Sequence, residues 1–171
     1  NLEMRSELAV PLINASGRLE GVLNLESPSL GAFSEDDNHI LQALATYAIT
    51  AIQEVRLLDA LQEAAQLLIS QSTQKVLDRL CGMANDLLNT SVSAIWLRNE
   101  LSEFQLTSSD GFIQPMENFS EAQNQANALF MPLLSGDEEN NLGMFGVFTA
   151  ETNGGRSAPS EWDKKVLACL A

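Results

Sequence analysis

The stretch EGVLNLESPSLGAFSEDDNHILQALA, at residues 20–45, has a looser counterpart in FGVFTAETNGGRSAPSEWDKKVLACLA, at residues 145–171. Each copy starts with an apolar Gly-Val run, passes through a loop that contains a proline, and reaches a Ser-Glu-x-Asp segment followed by an apolar pattern. Such a segment can cap a helix, because the serine and the aspartate each satisfy a backbone N–H group of the other. The two copies therefore predict one strand–loop–helix unit that the chain carries twice.

The two copies align through a series of matched positions. These are Pro11 with Pro132, Gly21-Val22 with Gly146-Val147, Glu26 with Glu151, Ser34-Glu35 with Ser160-Glu161, Asp37 with Asp163, and Leu41 and Leu44 with Leu167 and Leu170. A separation above 120 residues corresponds to a whole domain, since solenoid and propeller repeats are roughly 20–50 residues long. We therefore expect residues 1–52 to be the C-terminal part of a first domain, 53–70 a connecting helix, and 57–171 a second, divergent domain lacking most of its last helix.

The first copy predicts a β-hairpin followed by an unusually long helix. Two β-favouring runs, at residues 8–12 and 21–25, flank a turn in which Gly17 can adopt positive φ. From Glu35 to about Ile69 there is neither glycine nor proline, and apolar residues recur at spacings of three and four. At about 1.5 Å per residue this helix is about 50 Å long, which is typical of a connector or a coiled coil.

The remainder of the chain predicts a second unit that contains both helices and strands. The polar run Ser70-Gln71-Ser72-Thr73 offers a helix break and a new N-cap. Beyond it we expect an amphipathic helix at 76–88, strands at 92–97, 104–108, 129–134 and 144–149, and a capped helix from Ser160. Residues 113–128 are polar and have no clear period, which indicates a loop containing a helical turn.

Composition limits the partners of this chain. Nine Lys and Arg stand against 23 Asp and Glu, giving a formal net charge of -14, so nucleic acid or an anionic membrane would repel the chain on average. No apolar run reaches the ~20 residues of a membrane span, and no signal-peptide pattern is present. Cys81 and Cys169 lie in helical patterns without a CxxC motif, which argues against zinc and disulfides and favours a reducing cytoplasm.

Several features that resemble reactive sites have simpler interpretations. The acidic triplet Glu35, Asp36 and Asp37 suits a helix N-terminus, where the helix dipole favours carboxylates by about 0.3–1 kcal/mol. His39, on the first turn of the same helix, is expected at the surface. Cys81 has neither a base nor a cationic neighbour in the sequence, so we favour a buried structural thiol over a nucleophile. The glycines of LGMFG and NGGR form no phosphate-binding motif.

Residues 6–57 resemble the closing section of a GAF domain, a small-molecule sensor module of bacterial signalling proteins and cyclic-nucleotide phosphodiesterases. Their sequence is SELAVPLINASGRLEGVLNLESPSLGAFSEDDNHILQALATYAITAIQEVRL. The apolar-Pro-Leu strand, the Gly-Val-Leu strand, the Phe-Ser-x-x-Asp cap and the Ala-rich helix follow in the family's order. Residues 57–171 resemble the family more weakly, through the repeat.

The resemblance implies an α+β fold with a GAF-like twisted antiparallel sheet of about five or six strands, flanked by helices, and a long connecting helix from an incomplete preceding GAF domain. It also implies a ligand pocket against one sheet face. The phosphodiesterase type carries an Asn-Lys pair where this chain has Glu26-Ser27, so a cyclic nucleotide is not expected. Bilin-binding relatives use a Cys usually followed by His, and here the single histidine, His39, follows Asn38. We therefore expect no bilin in the second domain and identify no other cofactor.

We expect a regulatory small-molecule sensor and dimerisation module of a cytoplasmic bacterial signalling protein such as a two-component histidine kinase. It would relay a signal through the long helix to an output domain outside this chain, without catalytic or metal-binding residues of its own. The alternatives are a purely structural dimerisation module without a ligand and a GAF-type methionine sulfoxide reductase. The expected residues of the connecting helix in a homodimer are Ala51, Val55, Leu58, Gln62, Ala65 and Ile69. The expected pocket residues are Ile95, Leu97, Phe104, Leu106, Phe112, Phe130 and Phe148.

Overall fold

The computed structural model of this chain describes residues 3–15, 17–111, 118–125, 127–135, 140–148 and 159–171. The chain divides into two compact units, Asn1–Arg56 and Leu57–Ala171. Each unit contains an antiparallel sheet with at least one helix packed on it. The α+β class predicted from the sequence is confirmed.

The first unit is built on a β-hairpin. Its strands are β1 (Ser6–Ile13) and β2 (Leu19–Ser27), which pair antiparallel. In the turn, Gly17 has a φ of 79°, a conformation that glycine adopts without the steric penalty of a Cβ. The amide of Asn14 donates to the carbonyl of Arg18 at 2.9 Å and closes the turn. The structure thus contains the predicted hairpin, with strands longer than predicted.

Helix α1 (Glu35–Ser70) has 36 residues and matches the predicted range of 35–69 to within one residue. The amide of Asp37 donates to Ser34 Oγ at 3.2 Å, and the amide of Ser34 donates to the Asp37 carboxylate at 2.8 Å. These are the reciprocal capping bonds that the sequence predicts, and they hold the pKa of Asp37 below its usual value. Past its first turn, α1 packs on the hairpin through Leu41 against Val10.

The second unit is a four-stranded sheet with helices on both of its faces. Its elements after α1 are α2 (Thr73–Leu88), β3 (Val92–Arg98), β4 (Phe104–Asp110), α3 (Phe119–Ala122), β5 (Ala128–Leu134), β6 (Asn141–Phe148) and α4 (Glu161–Leu170). The strand order is β4-β3-β6-β5, all antiparallel. The described residues of this unit therefore form four strands where the family resemblance implies about five or six.

A bulge in β4 places Leu106 and Ser108, which are two positions apart, on different faces of the sheet. Ile95 pairs with Ser108 and Trp96 pairs with Leu106, so Thr107 is left without a partner residue. An extra residue of this kind shifts the two-residue alternation of a strand. Leu106 therefore lies on the same face as Trp96, and Ser108 lies on the same face as Ile95.

One face of the sheet is closed by α2 and α4. The core there consists of Leu57, Cys81, Ala84, Leu88, Ile95, Phe145, Val147, Val166, Leu167 and Leu170. Helix α4 begins with the predicted capping box between Ser160 and Asp163. Ser72 stands at the predicted N-cap of α2, but its side chain makes no capping hydrogen bond. A bidentate pair, Arg79 to Glu63 at 2.6 and 3.1 Å, joins α2 to the last turns of α1.

Candidate functional site

A cluster of aromatic rings covers the sheet face opposite α2 and α4. The rings of this aromatic cluster belong to Trp96, Phe104, Phe119, Phe130 and Phe148. The centroid of the Phe119 ring lies 5.5 Å from Trp96, 4.5 Å from Phe104 and 5.6 Å from Phe130. These distances fall in the favourable range for tilted and edge-to-face aromatic pairs. Phe119, which α3 brings onto the sheet, therefore contacts three of the four other rings of the cluster.

The structure divides the predicted pocket residues between the two faces of the sheet. Four of them lie together on the aromatic face: Phe104, Leu106, Phe130 and Phe148. Ile95 and Leu97 lie on the other face, against α2 and α4. A single pocket cannot be lined by both groups, because the sheet separates them. Phe112 lies outside the described residues.

Sequence reasoning missed Trp96 and Phe119. The alternation of β3 could have identified Trp96, because successive strand residues point to opposite faces and Ile95 and Leu97 flank it. Phe119 has no such signal, because its segment is mostly polar and has no clear period.

Gly146 provides space for the aromatic rings. A Cβ at this position would lie 2.7 Å from Cε1 of Phe130 and 3.0 Å from Cζ3 of Trp96. We expect Gly146→Ala to lower the free energy of unfolding by about 1–3 kcal/mol, because overpacking forces the rings out of place. Urea denaturation followed by circular dichroism measures this. Gly21→Ala is the matched control, since its Cβ would meet only Leu12 Cδ1 at 3.5 Å; equal losses at the two glycines would contradict the packing argument.

Helix α3 is attached to the sheet by apolar side chains. Phe119 is 7% exposed and Ala122 is fully buried. Among the described residues, the hydrogen bonds of 118–125 stay within that segment, as in the amide of Ser120 donating to Asn118 Oδ1 at 3.0 Å. The ring of Phe119 therefore fills the space over the sheet without a polar anchor to it.

The outer edge of the aromatic cluster is open to solvent at β4. A depression of about 440 Å³ is lined there by Asn99, Glu103, Phe104, Gln105 and Leu106. The guanidinium carbon of Arg98 lies 4.5 Å from the centroid of the Phe104 ring, which is a favourable cation–π distance. This edge thus combines an aromatic ring with one cation.

The predicted residues of the connecting helix are all exposed on α1. We call Ala51, Val55, Leu58, Gln62, Ala65 and Ile69 the exposed stripe. Val55 is 56%, Leu58 65% and Ile69 90% exposed. At about 3.6 residues per turn the stripe occupies only about 80° of the helix circumference, whereas Leu57 and Ala64 are buried on the other side. The exposed stripe has no covering element among the described residues.

The exposed stripe follows a heptad repeat. Its members alternate between spacings of three and four, with Val55, Gln62 and Ile69 at a positions and the other three at d positions. Apolar residues at a and d form the seam of a coiled coil, and one polar residue at an a position selects register and oligomeric state. Gln62 is the polar residue among the a positions of this repeat.

Cys81 is buried on α2, on the face opposite the aromatic cluster. Its Sγ lies 3.7 Å from Ser108 Oγ, and Ser93 Oγ donates to its carbonyl at 2.7 Å. Burial raises the pKa of the Cys81 thiol to about 11, so the thiolate that a nucleophile needs is scarce at neutral pH. The predicted buried thiol is confirmed, and Cys169 is exposed on α4.

We expect Ellman's reagent at pH 8 to modify Cys169 and to leave Cys81 essentially unreacted in the folded chain. The Cys81 rate should be at least ~100-fold lower, because the thiol is both protonated and enclosed. The Cys169→Ser variant isolates Cys81, and unfolding in urea should expose it to full reaction. Two thiols that react at similar rates in the native chain would show that Cys81 is accessible.

We also considered His39, possible metal-binding groups and possible membrane-spanning helices. His39 is exposed, as predicted, with Nε2 at 3.9 Å from Glu35 Oε1. Within the described ranges, no three His, Cys, Asp or Glu side chains are grouped so that they could hold a metal ion. No helix in the same part of the chain is both long and apolar enough to cross a membrane.

Comparison with known proteins finds similarity to GAF domains in part of the sequence and in the fold. The family model of the GAF domain matches residues 1–53. Among solved structures, the GAF domain of a putative sensor histidine kinase from Pseudomonas syringae pv. tomato has a TM-score of 0.56 at 18% identity, over 72% of this chain and 85% of that chain. The GAF domain of the Acinetobacter phosphoenolpyruvate-protein phosphotransferase has a TM-score of 0.51 at 18% identity, over 67% and 87%. That of a phosphoenolpyruvate-protein phosphotransferase from Coxiella burnetii gives 0.50 at 12%, over 68% and 88%.

The two kinds of comparison concern different parts of the chain. No curated protein matches the sequence at a significant level. A structural match over 67% of the chain cannot be confined to residues 1–53, so the likeness in fold extends into the second unit. The GAF family model thus matches residues 1–53 of this chain, and the fold of the chain is similar to that of solved GAF domains.

Proposed function

We propose that this chain is a regulatory signalling module that forms a parallel homodimer through α1 and relays a signal along that helix. The observation that supports this proposal is the exposed stripe. Exposed Val55, Leu58 and Ile69 leave a large apolar surface in water, and a second copy of α1 would cover it with the same heptad positions. A helix that is apolar on two sides can both pack on its own unit and contact a partner.

The context of the structural relatives supports a signalling role. One of them is the GAF domain of a putative sensor histidine kinase, and GAF domains are generally regulatory. We therefore propose that the chain is not itself an enzyme, that its output activity lies outside these residues, and that it works in the bacterial cytoplasm as part of a two-component or similar system. The arrangement of residues 1–52 and 57–171 as two GAF domains joined by the helix at 53–70 belongs to the same proposal.

Sedimentation equilibrium over a wide concentration range tests the dimer. A single chain has a mass of 18.6 kDa. We expect the mass to rise to twice that value with a micromolar or tighter Kd, which corresponds to about 8 kcal/mol of association free energy. A chain that stays at the monomer mass up to about 1 mM, where association would supply no more than ~4 kcal/mol, would contradict the proposal.

A second candidate function is small-molecule sensing at the aromatic cluster. The observation that favours it is the plug-like placement of Phe119, whose ring occupies apolar space over the sheet, while the hydrogen bonds of its helix, among the described residues, stay within 118–125. Scanning fluorimetry of the wild type and Phe119→Ala against nucleotides and aromatic metabolites tests it. A ligand should raise the Tm of both, and more for the variant; Leu88→Ala, a cavity on the helix face, controls for unspecific filling. No Tm shift in either protein would favour a module that only dimerises and transmits.

A further inference from the structure

One carboxylate of the first unit is buried among cations. The Glu20 side chain, at the start of β2, is only 7% exposed. Its Oε2 accepts from Arg56 Nη1 at 2.8 Å, and its Oε1 accepts from Asn14 Nδ2 at 2.8 Å, with Arg18 Nε at 3.7 Å. A charge-assisted hydrogen bond is roughly twice as strong as one between neutral groups, and Arg56, itself 53% exposed, makes this bond to a carboxylate with little access to water. The bond from Arg56 is also the main reason that the pKa of Glu20 lies below its usual value.

The position of Arg56 gives this contact its importance. The apolar core between α1 and the hairpin is formed at Leu41 and Ala45. Ile49, one turn beyond Ala45, is also buried, and Arg56 lies about two helical turns beyond Ile49, about 10 Å along the axis. It follows Val55 directly and comes two residues before Leu58, both members of the exposed stripe. The hairpin therefore holds α1 at two levels, once by apolar packing and once, beside the stripe, by Glu20.

We propose that Glu20 is a positioning residue that couples the β1–β2 hairpin to the dimer-forming part of α1 through Arg56. This inference rests on the proposed relay through α1 and adds the contact by which the first unit sets the state of the helix. A displacement of β2 at Glu20 moves the carboxylate, and with it the restraint on α1 at Val55. Loss of the pair leaves α1 held at Leu41, Ala45 and Ile49 and releases the segment around residue 56.

Amide hydrogen exchange of the full 171-residue chain tests the coupling. We expect Glu20→Gln to raise the exchange rates of residues 52–57 about tenfold, while amides at residues 41–45 change less than about twofold. The local pattern distinguishes release of the helix from general loss of stability. Glu26→Gln is the matched control, because Glu26 lies on the same strand and is exposed. Equal exchange in the two variants would overturn the proposal.

A double-mutant cycle isolates the pair itself. Arg56→Gln alone should reproduce the effect of Glu20→Gln, and the double variant should exchange no faster than either single one, because both remove one interaction. Effects that multiply in the double variant would show that the residues act separately. Repeating the cycle in the Val55→Asp/Leu58→Asp background separates the two proposals. If only the dimer proposal is wrong, the single variants and the double variant still raise exchange at residues 52–57 to the same extent. If only the coupling proposal is wrong, they do not.

Discussion

Val55→Asp combined with Leu58→Asp is expected to convert the dimer to a monomer. In a symmetric dimer each substitution appears twice, so four carboxylates would enter the seam. Burying a carboxylate that has no partner costs several kcal/mol, and each 1.4 kcal/mol corresponds to a tenfold change in Kd. We therefore expect Kd to rise by at least ~100-fold, measured by sedimentation velocity.

The fold of each chain should survive this change, because both side chains are exposed on α1. Thr50→Asp is the matched control: Thr50 is exposed on the same helix but lies outside the exposed stripe. It adds a carboxylate without placing it in the seam. A double variant that associates as tightly as Thr50→Asp would show that the exposed stripe is not the dimer interface.

Trp96→Ala is expected to have the largest effect on the stability of the second unit. Trp96 is fully buried, with its ring centroid 5.5 Å from Phe119 and 6.0 Å from Phe130. Removing a buried Trp side chain leaves a cavity and lowers the free energy of unfolding by about 3–5 kcal/mol. Urea denaturation followed by circular dichroism measures the loss.

Two further variants keep this prediction testable. If Trp96→Ala fails to fold, Trp96→Phe should still fold with a smaller loss, because it keeps a ring in the cluster. Trp162→Phe on α4 is the control, since Trp162 is only partly buried at the edge of the helix-face core, and its loss should stay below about 1 kcal/mol. A loss at Trp96→Ala no larger than that at Trp162→Phe would show that the aromatic cluster is not a stabilising core.

The parts of the fold that local chemistry determines could be predicted from the sequence. Helix α1 was predictable because its cap at Ser34 and Asp37 and its long glycine-free pattern are local signals. The exposed stripe was predictable for a related reason. Residues that recur at spacings of three and four lie on one side of a helix, regardless of what they contact. Capping at Ser160 follows from the same four-residue pattern.

The composition of the aromatic face could not be predicted, because it depends on a non-local feature. Thr107 is the extra residue of a bulge, and nothing in its neighbourhood marks it as such. Unless the position of the bulge is known, the face of the sheet on which each β4 side chain lies cannot be assigned. Phe119 reaches the cluster through a short helix in a polar segment, and Glu20 meets Arg56 across 36 positions of the chain. Neither contact has a sequence period that could reveal it.

Disulfide formation at position 55 tests the proposed parallel dimer most directly. In a parallel coiled coil, the two residues at one a position meet across the seam, within reach of a disulfide whose Cα atoms are about 4.4–6.8 Å apart. In a Cys169→Ser background, we expect mild oxidation to convert most Val55→Cys chains to covalent dimers, and Thr50→Cys chains to far fewer. Equal cross-linking at the two positions, or none at Val55→Cys, would contradict a parallel dimer formed through the exposed stripe.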